Sequence, residues 1–266
     1  MRVDATLLGT GTSVGVPIIG CDCAVCTSAD PRDTRLRTSA HVVAHTDAGP
    51  VRLQIDAGPD FRRQALAHGV TDVDALLVTH AHFDHVMGLD DLRPFFFRDR
   101  TPIPVLTGAD TAEALGAMFS YIFRDGTYPG VSRLALEPVD SPALVASRSN
   151  PEARVEVVPV PVMHGEAPIL GWRIGDLAYL TDVSHVPEAS FALLDGVEAL
   201  VLDGLRPEPH PTHLSFGEAA EVAQRISARE TWLVHMTHNV LHAEADAGLP
   251  EGVRLAYDGL QVRVGA

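Results

Sequence analysis

Thr79-His80-Ala81-His82-Phe83-Asp84-His85 groups three imidazoles and a carboxylate directly behind the apolar segment Ala75-Leu76-Leu77-Val78. Imidazole nitrogen and carboxylate oxygen are donors that divalent ions such as zinc prefer. The apolar run reads as a buried strand that delivers them at its C-terminal end. His80 and His82 can converge on one ion, while Asp84 and His85, a turn further on, can point at a second nearby. Paired ions of this kind serve hydrolysis by holding a hydroxide between them.

A dinuclear site needs more donors, and they should arrive on loops that follow other strands, where a rigid scaffold can aim them. Three positions meet that condition: His164 follows the run 155–162, Asp182 follows Leu177 to Leu180, and His235 follows Thr231 to Val234. Each is a polar residue at the end of an apolar strand.

Short apolar runs separated by helical segments recur along the chain, at 3–8, 40–43, 51–55, 75–78, 104–106, 155–160, 170–174, 177–180, 199–202 and 231–234. They predict sheets covered by helices. Ile174-Gly175-Asp176-Leu177 and Tyr257-Asp258-Gly259-Leu260 read as tight hairpins, so antiparallel pairing is expected beside parallel strands. Helices are expected over 60–68, 111–122, 187–194 and 215–226, the last opening with a capping box at Ser215 and Glu218. The polar, Pro-bearing stretch 137–152 reads as a loop. With 266 residues and no repeat or linker, a single domain spanning 1–266 is expected.

The formal net charge is −15, all 20 basic residues are Arg, and there is no Lys. Nonspecific nucleic-acid affinity comes largely from basic side chains that displace counterions, so a small substrate suits this surface better than a nucleic acid. Arg93, the basic residue nearest the metal motif in its local Arg group, is the candidate anion contact. No apolar stretch approaches the roughly 18 residues a membrane span needs, and the N-terminus has no signal layout. The three cysteines, packed as Cys21-x-Cys23-x-x-Cys26, cannot all pair internally. They read as thiolate ligands in a reducing compartment, and a cytoplasmic protein is expected.

Taken together, the H-x-H-x-D-H motif and the three later donors resemble the metallo-β-lactamase-fold hydrolases over nearly the whole chain. Gln54-Ile55-Asp56-Ala57-Gly58 matches that family's early strand-turn motif. The resemblance implies an α/β fold, an αββα sandwich with two mixed sheets between helical layers and the site at one edge. It implies His80, His82 and His164 on one metal, Asp84, His85 and His235 on the other, and Asp182 bridging both. Asp56 is expected to hold the metal-binding loops by hydrogen bonds rather than to touch metal.

Within the family, the opening Leu8-Gly9-Thr10-Gly11-Thr12-Ser13-x-Gly15-Val16-Pro17 and the cysteine cluster resemble the PhnP-type cyclic phosphodiesterases. That likeness implies a structural zinc on Cys21, Cys23, Cys26 and His238, closed to substrate. It also aligns His213 with a histidine presented to the substrate phosphate, making His213 and Asp84 the candidate catalytic residues. The implied activity is hydrolysis of a small, cyclic phosphodiester, such as a phosphoribosyl cyclic phosphate or a 2′,3′-cyclic nucleotide, by hydroxide between two divalent ions, zinc or manganese. A histidine titrating near neutrality could protonate the departing alkoxide. The relatives suggest a homodimer. Segments 88–95, 121–123 and 128–130 are expected to wall the pocket. A tRNA 3′-processing endonuclease shares the metal set and stays an alternative, as does a metal-dependent binding protein without turnover.

Overall fold

The computed structural model describes residues 1–123 and 130–266. Two seven-stranded sheets lie face to face, each built as a meander followed by parallel strands. The first contains β1 (Arg2–Gly9), β2 (Ser39–Thr46), β3 (Gly49–Ile55), β4 (Ala75–Leu77), β5 (Ile103–Thr107) and β6 (Leu134–Pro138). The second contains β7 (Ala143–Ala146), β8 (Arg154–His164), β9 (Ala167–Ile174), β10 (Leu177–Leu180), β11 (Ala199–Asp203), β12 (Glu230–Val234) and β13 (Val253–Leu255). The last strand, β14 (Gln261–Val264), returns to the first sheet beside β1. In the first sheet β1 to β3 pair antiparallel and β3 to β6 parallel. In the second, β7 to β10 pair antiparallel and β10 to β13 parallel.

The parallel strands are apolar on both faces, as strands covered on both sides must be. Leu77, Ala199 and Val201 point between the sheets, where they meet Leu53, Trp172, Ile174 and Tyr179. Their neighbours Leu76 and Val78 point outward to Phe61, Leu92 and Leu115; Leu200 and Leu202 point outward to Phe216, Ala219 and Ala223. The first outer layer is formed by α1 (Phe61–His68), α2 (Phe83–Val86), α3 (Arg93–Asp99), α4 (Ala109–Met118) and α5 (Ser120–Phe123). The second is formed by α6 (Glu188–Phe191), α7 (Phe216–Ile226) and α8 (His242–Ala247). This is the αββα sandwich with two mixed sheets that the family resemblance implied.

Several expectations need correction. Ile174-Gly175-Asp176-Leu177 is the hairpin between β9 and β10, with Gly175 at φ 56°. Tyr257-Asp258-Gly259-Leu260 instead carries the chain from β13 in one sheet to β14 in the other. A local turn signal cannot tell a hairpin from a crossover, and here Asp258 fastens the turn to the N-terminal loop, accepting from Thr10 Oγ1 at 2.8 Å and Leu36 N at 2.7 Å. The stretch 137–152 is not one loop, because it holds the end of β6 and the edge strand β7, whose four residues are too short a run to stand out among polar neighbours. The helix expected over 111–122 breaks at Phe119 into α4 and α5. The capping box at Ser215 and Glu218 is present as expected. Of the three segments expected to wall the pocket, most of 128–130 lies outside the described residues. No helix among the described residues is long and apolar enough to cross a membrane.

Candidate metal centre

The donors converge where the C-terminal ends of the parallel strands meet. β4 ends at Leu77, the extended segment beyond it carries His80 and His82, and α2 presents Asp84 and His85 inward. The turn after β3 locks this motif in place: Ala57 N donates to His85 O at 2.8 Å, and Gly88 N to Ala57 O at 2.7 Å. A Cβ on Gly58 would lie 1.8 Å from Asp84 O, so only glycine lets the two backbones approach this closely.

Asp56, with φ 54°, sits fully buried beneath the motif. Its carboxylate accepts from Thr79 N and Thr79 Oγ1, each at 2.8 Å, and lies 2.7 Å from His85 Nδ1. It therefore grips the Thr79 loop and the His85 ring from behind. Burial pushes its carboxyl up, against the opposing pull of His85 and Thr79.

The ligand atoms fall into two main groups, each with all members within 4.8 Å of one another: His80, His82, His164 and Asp182, and then Asp84, His85 and His235. Asp182 reaches both. Its Oδ1 lies 3.9 Å from His80 Nε2 and 3.3 Å from His235 Nε2, while its Oδ2 lies 3.1 Å from His85 Nε2. Asp84 Oδ2 stands 3.2 Å from His85 Nε2 and 3.5 Å from His235 Nε2. Asp182 and His235 take left-handed backbone angles, φ 58° and 65°. Such conformations cost about 1–3 kcal/mol and cluster at functional sites.

The rings are oriented for metal. Nδ1 of His80 meets Thr79 Oγ1 at 3.0 Å, and Nδ1 of His164 meets Thr212 O at 2.9 Å. The inward nitrogens, Nε2 of His80, His85 and His235, are buried without a hydrogen-bond partner. Buried polar groups are almost always satisfied, so a set of orphaned nitrogens facing two carboxylates fits cations between them. Outer hydrogen bonds on the opposite ring nitrogen are what metal-ligating histidines usually show.

The charges agree with that arrangement. Burial opposes ionisation of Asp84 and Asp182, but His235 and His85 outweigh it and hold both carboxyls well below the usual range. Burial would lower His85, yet Asp182 and Asp56 raise it well above an ordinary imidazole. His80 is pushed well down by burial and by His85, which leaves it neutral, the form that binds metal.

His213 lies at the same edge, its ring stacked on His235 with centroids 4.8 Å apart and 4.8 Å from His164. Burial and the neighbouring His235 push it down to about 4, rather than the near-neutral value expected of an acid. His210, 5.2 Å from His213 between centroids, belongs to the same histidine row. Arg93 is not brought to the cluster; it pairs with Asp90 on the preceding turn.

A second cluster holds Cys21, Cys23, Cys26 and His238. The three Sγ atoms lie 3.4, 3.5 and 3.3 Å from His238 Nδ1. With metal–sulfur bonds of about 2.3 Å and metal–nitrogen bonds of about 2.0–2.1 Å, a tetrahedral site separates S from N by about 3.5 Å. The donor set fits such an ion. A backbone donor from Cys26 pulls the Cys23 thiol down to about 6, and burial pushes Cys26 up to about 11. The fully buried Arg35 grips the His238 loop through the carbonyls of Thr237 and Val240 and pairs with Asp33. Thr12 N donates to Met236 O and Met236 N to Thr10 O, tying the N-terminal loop to the strand end that carries His235.

Sequence reasoning missed Thr79 and Asp203. Asp203 is fully buried at the end of β11, the strand between those that deliver Asp182 and His235. The same signal that marked Asp182, an acidic residue closing an apolar run, marks Asp203 too.

The chain matches the beta-lactamase superfamily domain over residues 51–236. A crystal structure of a new diphosphatase from the PhnP family superposes with a TM-score of 0.87 at 40% identity, covering 99% of this chain and 98% of that one. The octanoyltransferase of Porphyromonas gingivalis (strain ATCC BAA-308 / W83) is 40% identical over 96% of this chain, but this chain spans only 50% of its length. Ribonuclease Z of Mycobacterium sp. (strain KMS) is 27% identical over 98% of this chain and 96% of its own.

Proposed function

This chain belongs to the beta-lactamase superfamily and is a metal-dependent hydrolase of PhnP type, and on that premise we propose that it hydrolyses small phosphodiesters, cyclic ones among them, in a single-domain cytoplasmic enzyme. The observation that carries this reading is Asp182 facing both donor groups, with the inward nitrogens of His80, His85 and His235 left for cations. Two divalent ions, zinc or manganese, held by these side chains would supply Lewis acidity at phosphoryl oxygens and lower the pKa of bound water from about 15.7 toward about 7.

The chain's own part is to hold and orient. His80, His82 and His164 would bind one ion, Asp84, His85 and His235 the other, with Asp182 shared. His213, at the edge of both groups, would protonate the departing alkoxide. The negative phosphodiester brought beside it raises an imidazole's pKa, because an opposite charge nearby favours the cation; this offsets its depression in the free site. The Cys21, Cys23, Cys26 and His238 cluster would hold a structural zinc that pins the N-terminal loop next to His235. Acyl transfer, suggested by the longer octanoyltransferase, has less support: this chain has no Lys, and its three Cys are gathered in that cluster. A ribonuclease Z-like activity is the second reading, favoured by the likeness across both full lengths and opposed by the net charge of −15.

The test is hydrolysis of bis(p-nitrophenyl) phosphate, a 2′,3′-cyclic nucleotide, a ribose 1,2-cyclic phosphate, a nucleoside diphosphate and a precursor tRNA, with Asp182→Ala as control. Turnover of the small diesters, lost in the variant, is expected. Cleavage confined to the diphosphate would move the assignment to a diphosphatase, and cleavage confined to the tRNA to a nuclease.

A further inference from the structure

Of the donors at the dinuclear cluster, His80, Asp84, His85, Asp182 and His235 are buried, His164 is half-buried and His82 is exposed. The cluster therefore meets solvent on the side of His82, whose ring lies 4.5 Å from His80 and 5.2 Å from His164 between centroids. Phe83 stands next to His82 at that mouth and is 61% exposed. The chain's other phenylalanines, all among the described residues, are buried or half-buried. One turn along α2, Met87 N donates to Phe83 O at 3.2 Å, and the Met87 side chain is 42% exposed. Side chains four apart on a helix share a face, so ring and thioether form one apolar surface.

The fold asks for neither side chain. Asp84 and His85 turn in to the cluster and Val86 packs with Phe61 and Leu92, whereas Phe83 and Met87 belong to none of the core clusters. Single exposed apolar residues are ordinary, but an apolar patch with a polar rim marks a ligand surface. Beyond Met87 the rim turns acidic at Asp90 and the exposed Asp91. The apolar strip thus ends after two side chains, too short for an acyl chain and suited to one flat ring.

We propose that Phe83, backed by Met87, is the platform on which a nucleobase of the substrate stacks, so that the diesters this chain prefers are nucleotides rather than base-free sugar phosphates. With the phosphate at the two donor groups, the sugar spans the mouth and the base lies on the Phe83 ring. Met87 meets the edge of the base, a contact thioethers make with aromatic rings. Every base has a flat face, so such a platform tolerates all of them. It also needs no basic side chain, in keeping with the net charge of −15. The proposal rests on the diester reading for its catalytic consequence and on the exposed pair for binding.

Binding and turnover are read separately. With the zinc-loaded protein, calorimetric titration should find adenosine 3′-monophosphate held more tightly than ribose 5-phosphate. Phe83→Ala should reduce that preference by about 5–150-fold, the range that one base stacked on an aromatic ring supplies. Phe83→Trp should keep the preference, and Phe83→Leu, apolar without a flat face, should lose it. The position is exposed, so these substitutions leave the core intact, and metal content measured on each sample checks the neighbouring donors. Equal affinity for the two ligands in the wild type, or a Leu variant as selective as the wild type, would overturn the base platform.

In turnover, the ratio of kcat/KM for 2′,3′-cyclic adenosine monophosphate to that for ribose 1,2-cyclic phosphate should fall by the same factor in Phe83→Ala. The loss should appear in KM rather than kcat, because the platform touches the base and not the reacting atoms. An equal loss of kcat on both esters would make Phe83 a support for His82 and Asp84 instead. If the wild-type enzyme turns over neither ester, the diester reading fails, and the titration still decides whether Phe83 holds a base.

Discussion

Asp182 Oδ2 lies 3.1 Å from His85 Nε2 while the other oxygen of the same carboxylate faces His80 and His235. One short side chain on a left-handed backbone thus brings carboxylate oxygens to both donor groups. Asp182→Ala should therefore remove the dinuclear ions together rather than one at a time, leave the ion at the Cys3His cluster, and reduce turnover to background. Metal analysis of the purified variant checks this. Retention of a full dinuclear complement would contradict a shared ligand.

Asp56 touches no inward nitrogen, so its removal should weaken the site without abolishing it. Asp56→Asn keeps one acceptor for Thr79 but loses the charge-assisted contact to His85 Nδ1. Metal affinity should fall about 10–100-fold, with activity restored by excess metal. Titration of activity against added zinc or manganese measures the shift, and activity that no metal concentration restores would mean that Asp56 does more than orient His85.

The candidate donors were legible because the H-x-H-x-D-H motif, His164, Asp182 and His235 each follow an apolar run, and a strand that leads into His or Asp at a sheet's C-terminal edge leaves few other readings. Asp203 carries the same mark and was passed over, since chemistry was sought on loops and it is still counted within β11. Its carboxylate meets the His213 ring at 3.3 Å, a contact that no local pattern contains. Asp258 was misread for a related reason. Its turn looks like a hairpin, and only the pairing of β14 with β1 reveals a crossing between sheets. The edge strand β7 escaped because its apolar run is only four residues long and sits among polar ones; Leu144 stands out to solvent while Val145 turns in.

The Cys3His cluster joins two segments more than 200 residues apart and sits beside the His235 loop. Cys23→Ser removes a thiolate that lies 3.5 Å from His238 Nδ1 and accepts from Cys26 N. Loss of that ion should cost about 3 kcal/mol or more, which at roughly 2–4 °C per kcal/mol for a chain near this size lowers Tm by about 6–12 °C. Activity should fall less steeply than in Asp182→Ala, because His235 keeps its own contacts. Calorimetry of wild type and variant, each with its metal content determined, tests the point. An unchanged Tm would leave the cysteines without a structural role.

Asp258 allows a pH prediction at a distance from the metal donors. Burial raises its carboxyl from 3.8 to about 7, even though Leu36 N and Thr10 donate to it. Between those two values the folded chain holds a proton that the unfolded chain has released, so the stabilising contribution is complete below 3.8 and is lost as pH rises through about 7. The slope approaches about 1.4 kcal/mol per pH unit in that window. Asp258→Asn cannot titrate and loses one acceptor, a constant offset. The stability of wild type minus that of Asp258→Asn, both in the same metal state, should therefore decline steadily between pH 4 and 8 in denaturant titrations. A difference that stays flat across the range would show that Asp258 is ionised throughout and that its bonds to Thr10 and Leu36 outweigh its burial.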